Sequence, residues 1–284
     1  MHCVEGGGVG KVQCMTCWFI SDFGRFSLWC GFLILAAART CVMAQPAPGA
    51  VAAFDSCIDG FEARLSQQHR SQIGFLAPEA SIRLRRGELI VEQITPSGGV
   101  ELPRALLHHW RGTAFVVGGK AAEFERLLKD FDAYPKDFSP EVLQARVIAQ
   151  EGNRLQAWMR VRQRHVITVV MDTTFDVTFG QLDAQQRYSI SRSTRISEMD
   201  SSGHALNSKD ERGFLWRLNT YWSYEERDGG LYVQIESVSL TRSVPVGLAW
   251  AVGPFVESVP RESLEFTLRS ACSALRGSMD RGAK

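Results

Sequence analysis

The sequence predicts an α+β fold in which an antiparallel sheet is covered on its apolar face by one C-terminal helix. Two patterns carry this. Between Ala145 and Ser243 apolar residues recur at every second position through six runs separated by short polar turns, which reads as an antiparallel meander. After Pro260 the period becomes helical, with Leu264, Leu268, Cys272 and Leu275 on one stripe to about Arg276. A composition of 45% hydrophobic and 22% charged residues over 284 is ordinary for a globular chain and excludes disorder throughout.

Residues 1–44 read apart from the rest. Arg25 precedes an apolar run of 13 residues, Phe26–Ala38, followed by Val42-Met43-Ala44 and the linker from Pro46 to Ala50. A charged flank, an apolar core too short to span a bilayer comfortably and a small-x-small end describe a secretory signal, with cleavage expected after Ala44. The alternatives are an N-terminal anchor retained in the inner membrane and a true start at Met15. Taking away Lys11, Arg25, Arg39, Glu5 and Asp22 leaves 29 basic and 29 acidic residues, so no basic surplus remains for phosphates. Nucleic acid is therefore not expected as a partner. Five of the seven cysteines also lie in this segment. Cys57 and Cys272 remain, either as a disulfide or as two buried thiols.

Phe54, Ile58, Phe61 and Leu65 recur at helical spacing, with Glu62, Arg64 and Gln67 on the other side. Glu88–Ile94 and Leu106–Val117 read as strands. Ala121–Phe131 is an amphipathic helix that Pro135 should stop, and Ser139-Pro140-Glu141 should open a second short helix. Strands are expected at Ala145–Gln150, Leu155–Gln163, His165–Phe179, Tyr188–Ser197, Phe214–Glu226 and Gly230–Ser243.

Register follows from one turn. If Asp228-Gly229 is a two-residue hairpin loop, Arg227 pairs with Gly230. One face then carries Trp216, Leu218, Thr220, Trp222 and Tyr224 beside Leu231, Val233, Ile235, Ser237, Ser239 and Thr241; it should be the inner face. Ile167 to Phe179 gives a second inward row through Met171, Phe175 and Val177. Each buried aromatic side chain is worth roughly 1.5–3 kcal/mol, so this concave side needs cover, and the C-terminal helix is available.

The order of elements resembles the START-like, or SRPBCC, helix-grip family from about Leu106 to Arg276. The resemblance rests on Trp110-Arg111-Gly112-Thr113-Ala114-Phe115, on Phe131-Asp132-Ala133-Tyr134-Pro135 and on the Gly213–Thr241 hairpin leading to Pro260. It is an order-of-elements match, shared with exported bacterial proteins of the same arrangement, and includes no catalytic motif. It implies a sheet gripping the last helix around a cavity for lipids, sterols, polyketides or other apolar molecules. The organisation expected is a leader at 1–44, a helix-and-strand extension at 45–105 and a START-like domain at 106–278.

Candidate ligand-binding residues are those read as facing the cavity. Phe175, Trp216 and Trp222 could stack on a flat ligand, or simply form core. Arg192 and Thr194 share the side of Tyr188–Ile196 that holds Ile190 and Ile196, and an arginine there could hold a carboxylate or phosphate. An internal ion pair or a reversed face is the competing reading. Ser237 and Ser239 would leave room and hydroxyl groups. His108 and His109 are adjacent and point to opposite faces, so they cannot share a metal. Asp172 and Asp176 fall on the solvated face. No nucleophile elbow, HExxH, P-loop or dinucleotide fingerprint occurs, and nothing specifies a cofactor or a metal. The expected function is an exported carrier of a hydrophobic or amphipathic small molecule, with transient membrane contact. The alternatives are a cyclase or hydrolase that polarises a carbonyl with Arg192, and an interaction scaffold.

Overall fold

A computed structural model describes residues 45–71, 75–76, 81–96, 99–164, 168–207, 210–243 and 249–282. The leader and its cleavage site lie outside the described residues. Helix α1 (Pro48–Gln68) is followed by a single turn, α2 (Ser81–Arg85), and strands β1 (Ile90–Gln93), β2 (Val100–Leu102) and β3 (Ala105–Val117). Then come α3 (Ala121–Lys129), a 3-10 turn (Phe131–Ala133) and α4 (Tyr134–Asp137). The meander follows as β4 (Val142–Glu151), β5 (Arg154–Arg164), β6 (Thr168–Gln181), β7 (Gln186–Glu198), β8 (Arg217–Arg227) and β9 (Gly230–Arg242), and α5 (Ala249–Gly282) ends the chain.

All the pairings are antiparallel, in the order β1-β3-β9-β8-β7-β6-β5-β4, with β2 beside the other end of β3. The turn that sets the register is as expected. Asp228 and Gly229 both have positive φ, 56° and 76°, which matches the right-handed strand twist, and Arg227 pairs with Gly230. Leu264, Leu268, Ala271, Cys272 and Leu275 of α5 pack on the concave side with Trp222, Tyr224, Val233, Ile235, Phe175, Val177 and Phe179. A Cβ on Gly112 would sit 3.1 Å from Leu268 and 3.4 Å from Leu264, so this glycine lets the helix lie directly on β3. The result is the helix-grip arrangement that the resemblance implies. Cys272 is buried in this layer and Cys57 is exposed on α1; both are free thiols.

Among the boundaries that differ from expectation, three concern helices. Pro135 occupies the first turn of α4 instead of stopping a helix, because proline's fixed φ and missing N–H suit that position. Ser139 and Pro140 lie in the turn into β4, so the short helix expected there is absent. The last helix starts at Ala249, ahead of Pro260.

The N-terminal helix has a defined seat. Ala50, Phe54, Ile58 and Leu65 pack on the convex side of the sheet against Leu107, Trp216, Tyr221, Val238 and Leu240. Residues expected on its polar side bind the sheet as well. The Arg192 guanidinium donates through Nε to Glu62 at 2.7 Å, and the Tyr221 hydroxyl donates to the same carboxylate at 2.9 Å. Arg64 donates to both oxygens of Glu236 at 3.0 Å, and His109 Nε2 lies 2.8 Å from that carboxylate. The convex side of β3, β8 and β9 is thus covered by α1, and their concave side by α5 over the row through Ile235 and Trp222.

Candidate functional site

Pairing places the inward side chains in rows that run across the sheet. Gly112, Ile235, Trp222, Ser189 and Phe179 form one; Trp110, Ser237, Thr220, Ser191 and Val177 form the next. His108, Ser239 and Leu218 begin a third, in which Ser193 Oγ accepts the Leu218 N–H at 2.9 Å. The first row belongs to the close-packed layer under α5, where Phe124 of α3 meets the Trp222 ring edge-on at 5.4 Å. The Glu125 carboxylate closes that end of the sheet, accepting from Arg187 of β7 at 3.0 Å and Lys129 at 2.6 Å.

The second and third rows are built differently. Their side chains are mostly small and hydroxylated, and Leu218, Thr220, Ser237 and Ser191 keep partial solvent access. On the same strands, the convex neighbours Asn219, Tyr221, Glu236 and Val238 are buried. These rows are therefore not sealed as the first one is. Buried polar atoms with no hydrogen-bond partner among the described residues include both ring nitrogens of His108, the Trp110 indole Nε1 and the Thr241 hydroxyl on the concave side, and Arg111 Nε on the convex side. Burial lowers the His108 pKa, so the ring is neutral near pH 7.

The seven candidate residues divide between the faces. Phe175, Trp222, Ser237 and Ser239 are on the concave side, Phe175 and Trp222 within the packed layer, Ser237 partly accessible and Ser239 buried. Arg192 is on the convex side, held by Glu62 beside an open groove that Gln156 and Asp176 also line. The side of β7 that reads as apolar is the one α1 covers, with Ile190 packed into that cluster, so the expected face is reversed. Thr194 is exposed at a bulge where β7 has an extra residue between the partners of Thr174 and Phe175; its hydroxyl donates to the Thr174 carbonyl at 3.2 Å. Trp216 also departs from expectation. It precedes β8, and its ring folds over Gly213, whose positive φ of 75° turns the chain so that the indole joins the α1 cluster.

Asp172 faces outward and is bound by Arg160 at 2.7 Å, as a solvated-face residue should be. The sequence reading missed His108, Trp110 and the alternating Ser189, Ser191 and Ser193. The serine alternation was the available signal, since it marks the opposite side of β7 from Ile190 and Arg192.

No protein-family model matches the chain, and no curated protein matches it. Solved structures similar to it include a STAR-related lipid transfer protein fragment from Xanthomonas axonopodis, at 14% identity, covering 66% of this chain and 98% of that one with a TM-score of 0.43. The Zhui aromatase/cyclase from a Streptomyces species matches at 13% identity over 60% of this chain and 94% of its own, also with a TM-score of 0.43. Human STARD10 matches at 9% identity over 72% and 84%, with the same TM-score.

Proposed function

We propose that the protein is an exported carrier that binds a hydrophobic or amphipathic small molecule between the concave face of the sheet and the C-terminal helix. The observation that carries this is the contrast within the concave face. A row of aromatic and aliphatic side chains is sealed by α5, while the adjacent rows of Ser191, Thr220, Ser237 and Leu218 remain accessible. Pockets for apolar ligands combine an apolar wall with a few polar groups, and the concave face offers side chains of both kinds, which supports this reading. Export rests on the leader read in residues 1–44, and among the described residues no helix is long and apolar enough to cross a membrane. Transient membrane contact would be the route by which an apolar cargo is loaded.

Native mass spectrometry of the protein purified from its own envelope tests this reading: an apolar molecule should travel with it, and N-terminal sequencing should begin at Gln45. A protein that emerges empty and fails to bind a neutral apolar dye would sink the carrier. The enzymatic alternative loses its chief residue, because Arg192 is engaged by Glu62 on the opposite face.

A further inference from the structure

The outer face of the β4–β5 hairpin is built largely from arginine. Along β5, Trp158, Arg160, Arg162 and Arg164 fall at every second position. They lie on the opposite side of the strand from Leu155 and Ala157, which pack into the layer with α5, and from Gln163, which donates to Ser263 of that helix at 3.0 Å. Arg146 of β4 pairs with Trp158 and so stands on the same side. Strand β4 is the last in the sheet order, and none of the residues described under α1 comes from β4 or β5. Arg146 and Arg164 are exposed, and Trp158, Arg160 and Arg162 are partly accessible.

The groups that orient these arginines leave most of the charge in place. The Arg146 and Arg160 guanidiniums lie 4.6 and 5.7 Å from the centroid of the Trp158 ring, and Arg162 donates to the Pro140 carbonyl at 3.1 Å. A ring and a carbonyl direct a guanidinium without cancelling it. Asp172 does cancel one, binding Arg160 at 2.7 Å, and the three residues after Arg164, His165-Val166-Ile167, contain no acid. The chain as a whole is nearly balanced, with 32 basic and 31 acidic residues, so the positive charge gathered here is local.

We propose that this stripe is a peripheral docking surface and that its partner is the anionic headgroup layer of a phospholipid bilayer. Like charges at successive positions on one strand face repel, so they do not account for the fold. From Trp158 to Arg164 they extend about 20 Å along the sheet, the reach of several headgroups. Guanidinium takes phosphate by paired hydrogen bonds, and each arginine beside an anionic leaflet adds to the attraction. Arginines alone would fit any polyanion. The indole among them favours a bilayer, because tryptophan settles where headgroups meet hydrocarbon, and Ile148, two residues from Arg146 on β4, is 48% exposed. The stripe gives a place to the membrane contact of the carrier reading, but it lies apart from the concave side and is tested apart from cargo binding.

Flotation of the purified protein with vesicles is the test, phosphatidylcholine alone against phosphatidylcholine carrying about 30% phosphatidylglycerol. The anionic vesicles should be bound at least tenfold more tightly, and about 0.5 M NaCl should remove most of that preference. Combining Arg146→Gln, Arg162→Gln and Arg164→Gln should weaken binding about tenfold to a hundredfold. The charge-matched control, Arg83→Gln with Arg126→Gln and Arg269→Gln at exposed sites elsewhere, should change it less than about twofold. Lipid brominated along its acyl chains should quench part of the parent's tryptophan emission, and Trp158→Phe should lose that quenching. Both triple variants should bind the neutral apolar dye as the parent does. Equal binding to neutral vesicles, an equal loss in the control, or quenching unaltered in Trp158→Phe overturns the inference and leaves the carrier standing. A preference for polyglutamate or an oligonucleotide over the anionic vesicles overturns it as well.

Discussion

The two faces of β3, β8 and β9 differ less in polarity than in how their polar groups are used. On the convex face, Glu236, Tyr221, Ser223 and Arg192 are paired with residues of α1 or the turn after it, and the helix is held there by side chains that its own sequence places on its polar side. On the concave face, Ser237, Thr220 and Ser191 keep partial solvent access. The convex face is closed over by α1, with Arg111 Nε left without a partner among the described residues. The concave face is finished only over the half that α5 covers.

The largest expected effects come from breaking either finished layer. Phe54→Ala on the convex side and Leu268→Ala on the concave side should each cost about 3–4 kcal/mol in denaturant unfolding, because each empties a buried site. A near-neutral Phe54→Ala would remove α1 from the fold proper and dissolve the contrast.

Next in size is the Glu236 cluster. Burial alone would raise this carboxyl's pKa, but the His109 hydrogen bond and the Arg111 and Arg64 charges outweigh it and hold the pKa at about 2. A depressed carboxylate pKa gives stability that is fully present above about pH 4.5 and lost as the pH falls toward 2. Glu236→Gln should therefore remove on the order of 3 kcal/mol at pH 7 and flatten that acid limb in unfolding measured from pH 6 to pH 2.

The same face supplies a limb at milder acidity. Burial, with help from the Arg64 charge and against the pull of Glu236, lowers the His69 pKa to about 4. The unfolded chain takes up this proton first, so stability is complete above about pH 6.5 and falls between there and pH 4. His69→Gln, which can still hydrogen-bond Ser223, should lose that dependence.

The smallest stability effect should come from the unfinished half. Ser237→Phe in a filled core would cost roughly 1–3 kcal/mol by overpacking. In a hollow it should change unfolding by less than about 1 kcal/mol and abolish binding of a neutral apolar dye. A large destabilisation there would mean that the rows are packed after all.

Legibility in the sequence followed the same division. Where one turn sets the register, as Asp228-Gly229 does, alternation located the inner face of β8 and β9 from Leu218 to Tyr224 and so found Trp222, Ser237 and Ser239. The row through Phe175 was equally legible because its alternate residues, Asp172 and Asp176, are charged. Strand β7 misled because α1 covers its outer side, which makes Ile190 appropriate there and leaves serines facing inward. Period-two patterning identifies a core side only when the other side meets water. Trp216 was misplaced because the strand begins one residue later, beyond the reach of a register argument.

The arrangement of α1 also constrains how the protein is made. Its Arg64 reaches a carboxylate 172 residues further along, and the surface it covers exists only once β8 and β9 have paired. The helix is therefore synthesised well before the hairpin that provides most of the surface it covers.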